Sequence, residues 1–123
     1  MPLQGNLTDM IEVEPLAFDD GYLRVEYDHF YVACRGVPIY SISRKEFLIL
    51  SCLLRANGRP LPHQEVWQYV WGNTEEFKDQ VLRVHITNLR RKLTPYGVEI
   101  ASMIGVGYYV QISPEAVTRE SAA

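Results

Sequence analysis

Cysteine is scarce: Cys34 and Cys52 are the only two in 123 residues. Neither belongs to a C-x-x-C pair or a Cys/His cluster, which argues against a disulfide-stapled scaffold or a metal site and predicts buried thiols. No run of about 18 apolar residues is present. The N-terminus lacks a basic segment followed by an apolar one, so neither a membrane span nor a secretory signal is legible. These absences predict a cytoplasmic protein with no membrane partner. H-E-x-x-H, G-x-S-x-G and P-loop patterns are missing too. No catalytic residue is assigned, an enzyme is not expected, and no metal or cofactor is implied.

Excess positive charge is also lacking, since the formal net charge is −3. The total alone argues against a phosphate-rich partner, which needs local cations. The distribution of charge points the other way. Residues 1–28 hold Asp9, Glu12, Glu14, Asp19, Asp20, Glu26 and Asp28 against Arg24 alone, whereas residues 29–113 hold ten Lys/Arg against six Asp/Glu. One side of the fold is therefore expected to be basic. Within that part, Arg83, His85, Arg90, Arg91 and Lys92 share a stretch with no acid after Asp79. A solvated helix face is the bland reading of such a run.

With 47% hydrophobic and 22% charged residues, the chain can form one modest core. Residues 1–14 show no sustained period and read as a linker or flexible tail, residues 15–112 as the domain, and residues 113–123 as a second tail. Short β-rich runs at 16–18, 22–27, 30–34 and 37–42 are separated by Asp19-Asp20-Gly21, Asp28-His29 and Arg35-Gly36. Together they predict a four-stranded antiparallel meander. Pro38 lacks a backbone donor, so its strand belongs at an edge or begins after it.

At Ser43 the period changes to that of a helix. Ser43 and Glu46 form a capping-box pattern, Phe47, Leu50 and Leu54 recur on one face, and Asn57-Gly58 supplies the stop. After Arg59-Pro60-Leu61-Pro62 a second helix is predicted from His63 to Trp71. Its Trp67, Tyr69 and Trp71 fit either core or surface.

The segment Asp79 to Leu93 carries the most information. At about 100° per residue, Leu82, Ile86, Leu89 and Leu93 fall within about 60° of one another as a core stripe. The opposite face is centred on Val84, Thr87, Asn88 and Arg91, with Gln80 one turn earlier. Arg83 and Arg90 flank it on one side, His85 and Lys92 on the other. Short side chains at the centre can approach base edges while long cations at the flanks reach phosphates. Beyond Pro95-Tyr96-Gly97, the runs 98–104 and 108–112 around Gly105-Val106-Gly107 predict a β-hairpin. A phosphate-binding glycine loop would open a helix, and here a strand follows.

In this order and spacing, the residues resemble the OmpR/PhoB-type effector domains of response regulators. The resemblance covers roughly residues 16–111 and rests on Ile42-Ser43-Arg44-Lys45-Glu46-Phe47, Asn57-Gly58, Val70-Trp71-Gly72, Val84-His85-Ile86, Leu89-Arg90-Arg91-Lys92-Leu93 and Gly105-Val106-Gly107-Tyr108. It implies an α+β winged helix-turn-helix: an N-terminal antiparallel four-stranded sheet, three helices and a C-terminal hairpin wing. The implied function is sequence-specific duplex DNA binding by a bacterial-type transcriptional regulator, with helix 79–93 in the major groove and wing 98–112 near the minor groove.

Arg83, Val84, Thr87 and Asn88 match the family's base-contact positions, and Trp71, His85, Arg90, Ser102 and Tyr108 its phosphate contacts. Asn73, Thr74, Glu75, Glu76, Phe77 and Lys78 match the loop that touches RNA polymerase in the family. Among the histidines, His29 and His63 are read as structural.

The chain departs from the family pattern where its members commonly carry an acid (here Arg83), an Arg (here Gln80), cations (here Thr87 and Asn88) and the wing Arg (here Ile104). Without that wing Arg, attraction to a narrow minor groove is expected to weaken. No receiver domain is legible, so a receiver-domain partner or tandem binding would lie outside this chain. The acidic total and Ile104 keep a protein-interaction module with little DNA binding as the alternative function.

Overall fold

The computed structural model describes residues 16–114. The expected tail 1–14, and all of the expected tail 113–123 after Pro114, lie outside the described residues. Ser113, read as the start of a tail, instead donates its N–H to the Gly97 carbonyl at 2.7 Å.

Four short strands, β1 (Ala17–Asp19), β2 (Leu23–Glu26), β3 (Tyr31–Cys34) and β4 (Val37–Pro38), form an antiparallel sheet in sequence order. The carboxylate of Asp20 shapes the first turn by accepting the N–H groups of Tyr22 at 2.9 Å and Leu23 at 2.7 Å. In register, Leu23 faces Cys34 and Val25 faces Val32, all buried. The last strand is shorter than the expected run to Ile42. Pro38 has no N–H for a ladder, and only Ile39 adds a further bond, to Val32 O at 2.8 Å, before the chain leaves the sheet edge.

Helix α1 (Arg44–Arg55) begins at the expected capping box: Ser43 N–H donates to Glu46 Oε1 at 2.9 Å and Glu46 N–H to Ser43 Oγ at 3.3 Å. Asn57 and Gly58, with φ of 54° and 81°, turn the chain left-handed after it. The helix buries the expected stripe and more. Besides Phe47, Leu50 and Leu54, it buries Glu46, Ile49, Ser51, Cys52 and Leu53, because α2 (His63–Trp71), α3 (Asp79–Leu93) and the hairpin surround it. Both cysteines are free and buried, and burial pushes the Cys52 thiol up to about 12.

The hairpin β5 (Val98–Met103) and β6 (Gly107–Ile112) closes the core with Val98, Ile100 and Tyr108. The connection before α2 is also part of this layer. Leu61 N–H donates to Tyr108 O at 2.8 Å and Tyr108 N–H returns to Leu61 O at 2.9 Å. The approach explains Gly107, because a Cβ there would stand 1.8 Å from the Leu61 carbonyl oxygen.

Candidate nucleic-acid interface

Helix α3 presents two opposed faces. Leu82, Ile86, Leu89 and Leu93 are each at most 1% exposed, so the predicted stripe is the buried one. Its apolar contact with α1 and β5 fixes the helix rotation and turns the other side outward. There Gln80, Arg83, Val84, Thr87 and Asn88 line one shallow hollow of about 480 Å³. Val84 is 59% exposed at this site, so the hollow offers an apolar contact beside amide and hydroxyl groups. Thr87 Oγ1 donates to the Arg83 carbonyl at 2.9 Å, and Arg91 Nη2 donates to Asn88 Oδ1 at 2.6 Å. The amide nitrogen of Asn88 and one lone pair of its oxygen remain for an outside partner.

A second cleft, about 580 Å³, separates α3 from the wing and has Arg83, Thr87, Arg90, Ser102 and Tyr108 among its walls. Arg90 crosses its base, donating from Nε to Ile100 O at 2.7 Å and from Nη2 to Ser102 Oγ at 2.9 Å. The same guanidinium therefore braces the wing against α3. Tyr108 is only 4% exposed, and His63 stacks on it with centroids 4.3 Å apart and planes 9° apart. Burial raises the Tyr108 phenol's pKa. At the hairpin tip, Ile104 is 97% exposed.

On the opposite flank, Trp71 is half-buried, stacked on buried Trp67 at 4.0 Å, with His85 5.4 Å from its ring. Lys92 does not join them, contrary to its place on the helical wheel. Its Nζ bonds to Ser41 O and to Glu46 Oε1, each at 2.7 Å. Burial disfavours charge on Glu46, but the bonds from Lys92 and Ser43 outweigh it and hold the carboxyl below its ordinary range. Lys92 thus neutralises a buried acid at the start of α1.

The cation bordering this flank is Lys45, whose Nζ lies 5.0 Å from the Trp71 ring centre. Sequence reading missed Lys45, because its proximity to Trp71 exists only once α1 packs on α2.

The loop between α2 and α3 leaves Asn73, Thr74, Glu75, Glu76 and Lys78 exposed and Phe77 half-buried. It is tethered by Trp67 Nε1 donating to Glu75 O at 3.3 Å and by an edge contact between Trp67 and Phe77 at 5.7 Å.

Residues 38–110 match the family described as "Transcriptional regulatory protein, C terminal". The chain belongs to this family of OmpR/PhoB-type effector domains. The effector domain is similar to the regulatory protein VanRB of Enterococcus faecalis, with 35% identity over 96 residues, 78% of this chain and 42% of the relative. It is 31% identical to the response regulator ArlR of Staphylococcus haemolyticus over 91 residues, 72% of this chain and 41% of the relative. The chain thus spans less than half the length of either relative.

Among solved structures, the DNA-binding domain of Bacillus subtilis CssR superposes with a TM-score of 0.62 at 26% identity, covering 72% of this chain and 99% of that one. The Klebsiella pneumoniae RstA DNA-binding domain, solved in complex with its RstA box, shares the fold with a TM-score of 0.64 at 23% identity, covering 80% and 97% of the two chains. The effector domain is therefore a winged helix, α3 corresponding to the recognition helix and β5–β6 to the wing. Among the described residues, no helix is long and apolar enough to cross a membrane.

Proposed function

We propose that the effector domain binds duplex DNA sequence-specifically as the output of a bacterial-type transcriptional regulator, with α3 in the major groove and the wing beside the minor groove. The observation that carries this reading is the shared hollow of Gln80, Arg83, Val84, Thr87 and Asn88 on the exposed face of a helix whose other face is fully buried. Short side chains in the hollow read base edges. Asn88 suits adenine, Val84 suits a thymine methyl, and Arg83 suits guanine.

Phosphate contacts fall to the two sides, Lys45, Trp71 and His85 on one and Arg90 and Ser102 on the other, with Arg91 continuing the central face beside Asn88. Tyr108 acts from beneath, holding His63 and the wing base. The negative total charge does not oppose this function, because binding depends on the local cations.

The exposed acids of the 73–78 loop, which leads directly into the N-terminus of α3, offer a contact surface for RNA polymerase. Control by a receiver domain, or by a second effector domain bound in tandem, belongs to the same proposal.

Fluorescence anisotropy of the protein on labelled duplex across a salt series tests the reading. Neutralising about three to five phosphates gives a log–log slope of roughly −3 to −5. Absence of binding at low ionic strength would return the protein-interaction reading.

A further inference from the structure

Asp79 is an acid at the N-terminal end of the helix proposed to enter DNA, where its charge opposes the phosphates. A carboxylate there has an ordinary use, since it interacts favourably with the helix dipole. Its contacts reach further than that. One oxygen, Oδ2, accepts from Nε of Arg83 one turn along α3. The other, Oδ1, accepts from Nδ1 of His63 on α2 at 2.9 Å. A carboxylate only accepts, so Nδ1 carries the proton in this arrangement. The His63 ring lies flat on Tyr108, and Tyr108 is buried and joined to Leu61 by two backbone hydrogen bonds. A continuous chain of contacts therefore runs from the rigid base of the wing through His63 and Asp79 to Arg83.

An exposed ion pair between residues four apart on one helix orders little by itself. Here the acid is anchored from a second element, and this changes what it can do to Arg83. The Arg83 side chain is 63% exposed, yet its Nε is held on the inner side. Its two terminal nitrogens have no protein partner among the described residues. A guanidinium fixed at Nε and free at both ends presents the fork that pairs with the O6 and N7 acceptors of guanine.

We propose that Asp79 and His63 are positioning residues that hold Arg83 in a base-reading pose, so that sequence preference at one base pair depends on two residues that do not touch DNA. The proposal rests on the reading of α3 as the major-groove helix.

The test compares wild type, Asp79→Asn, His63→Asn, Arg83→Ala and the Asp79→Asn/Arg83→Ala double variant. Each is assayed by competition on duplexes that vary one base pair at a time around the sequence preferred by wild type, with thermal unfolding recorded for each protein. Arg83→Ala is expected to flatten preference at one position by about fivefold or more. Asp79→Asn should flatten the same position, His63→Asn should do so in part, and the double variant should lose no more there than Arg83→Ala alone.

A purely structural or dipole role predicts something else. Asp79→Asn would then change affinity for every sequence by a common factor, upward as a negative charge is removed, and leave the preference intact. That outcome overturns the proposal, as does an unchanged preference in Arg83→Ala. Thermal unfolding shows whether a variant is folded at the assay temperature, and His63→Asn, outside α3, keeps the question decidable should Asp79→Asn unfold. A wild type that binds no duplex would instead overturn the DNA-binding reading itself.

Discussion

The ammonium of Lys45 lies 5.0 Å from the centre of the Trp71 ring, placing a cation from the first helix beside the recognition helix. It stands on the side from which Lys92 turns away to meet Glu46. Two lysines of similar sequence appearance therefore have different work, one facing the proposed DNA backbone and one neutralising an acid that is 3% exposed.

Lys45→Gln is expected to weaken binding to all duplexes alike and to make the salt slope shallower by about one, with little change in thermal stability. Lys92→Gln is expected to leave the slope unchanged and to destabilise the fold by about 1–3 kcal/mol, because Glu46 loses its charged partner. Paired salt titrations and thermal melts separate the two. An exchange of these phenotypes would put Lys92 back on the DNA-facing flank.

Glu46 also gives a pH signature. Its carboxyl is held below the ordinary value of 4.5 in the fold, so its contribution is complete above about 4.5 and is lost as pH falls through the folded value. Denaturant midpoints measured from neutrality to about pH 3 should therefore drop for wild type. Glu46→Gln should start less stable and drop less, the remaining loss coming from carboxylates such as Asp79 that both proteins share. Parallel curves would show that the Lys92 and Ser43 bonds do not hold Glu46 in its charged form.

Helix α3 is legible in full in the sequence, from Asp79 to Leu93, because four leucine and isoleucine side chains on one stripe leave a single rotation that buries them. The hollow opposite follows from the same geometry and collects the residues that spacing places there, Gln80, Arg83, Val84, Thr87 and Asn88. Local signals also suffice for the Ser43–Glu46 capping box.

What spacing cannot supply are meetings between elements. The bond of Lys92 to Glu46 spans 46 residues, the Tyr108 ring is covered by His63 stacked on it, and α1 meets the later helices and hairpin as well as the earlier Phe30, whose ring packs on Phe47. The fourth strand falls short of its β-rich run for a local reason: Pro38 has no N–H to give the ladder, and after one bond from Ile39 to Val32 the chain leaves the sheet edge.

The wing tip offers an independent test of its distance from DNA. Ile104 is almost wholly exposed, and residues 100–112 contain no charged side chain, so the wing has no cation of its own for the minor groove. Ile104→Arg should therefore strengthen binding, more on A·T-rich flanks, whose narrow minor grooves carry enhanced negative potential. Equal affinity of variant and wild type on both A·T-rich and G·C-rich flanks would place the hairpin away from the groove.

The most direct measurement is selection of bound duplexes from a random pool, carried out in parallel with wild type and Asn88→Ala. The account predicts that wild type enriches a short motif containing an adenine position. It further predicts that Asn88→Ala binds and folds but loses about 1–3 kcal/mol of discrimination at that position alone. Enrichment of no motif by wild type, or an identical motif from both proteins, would contradict the claim that the Val84, Thr87 and Asn88 face of α3 reads DNA sequence.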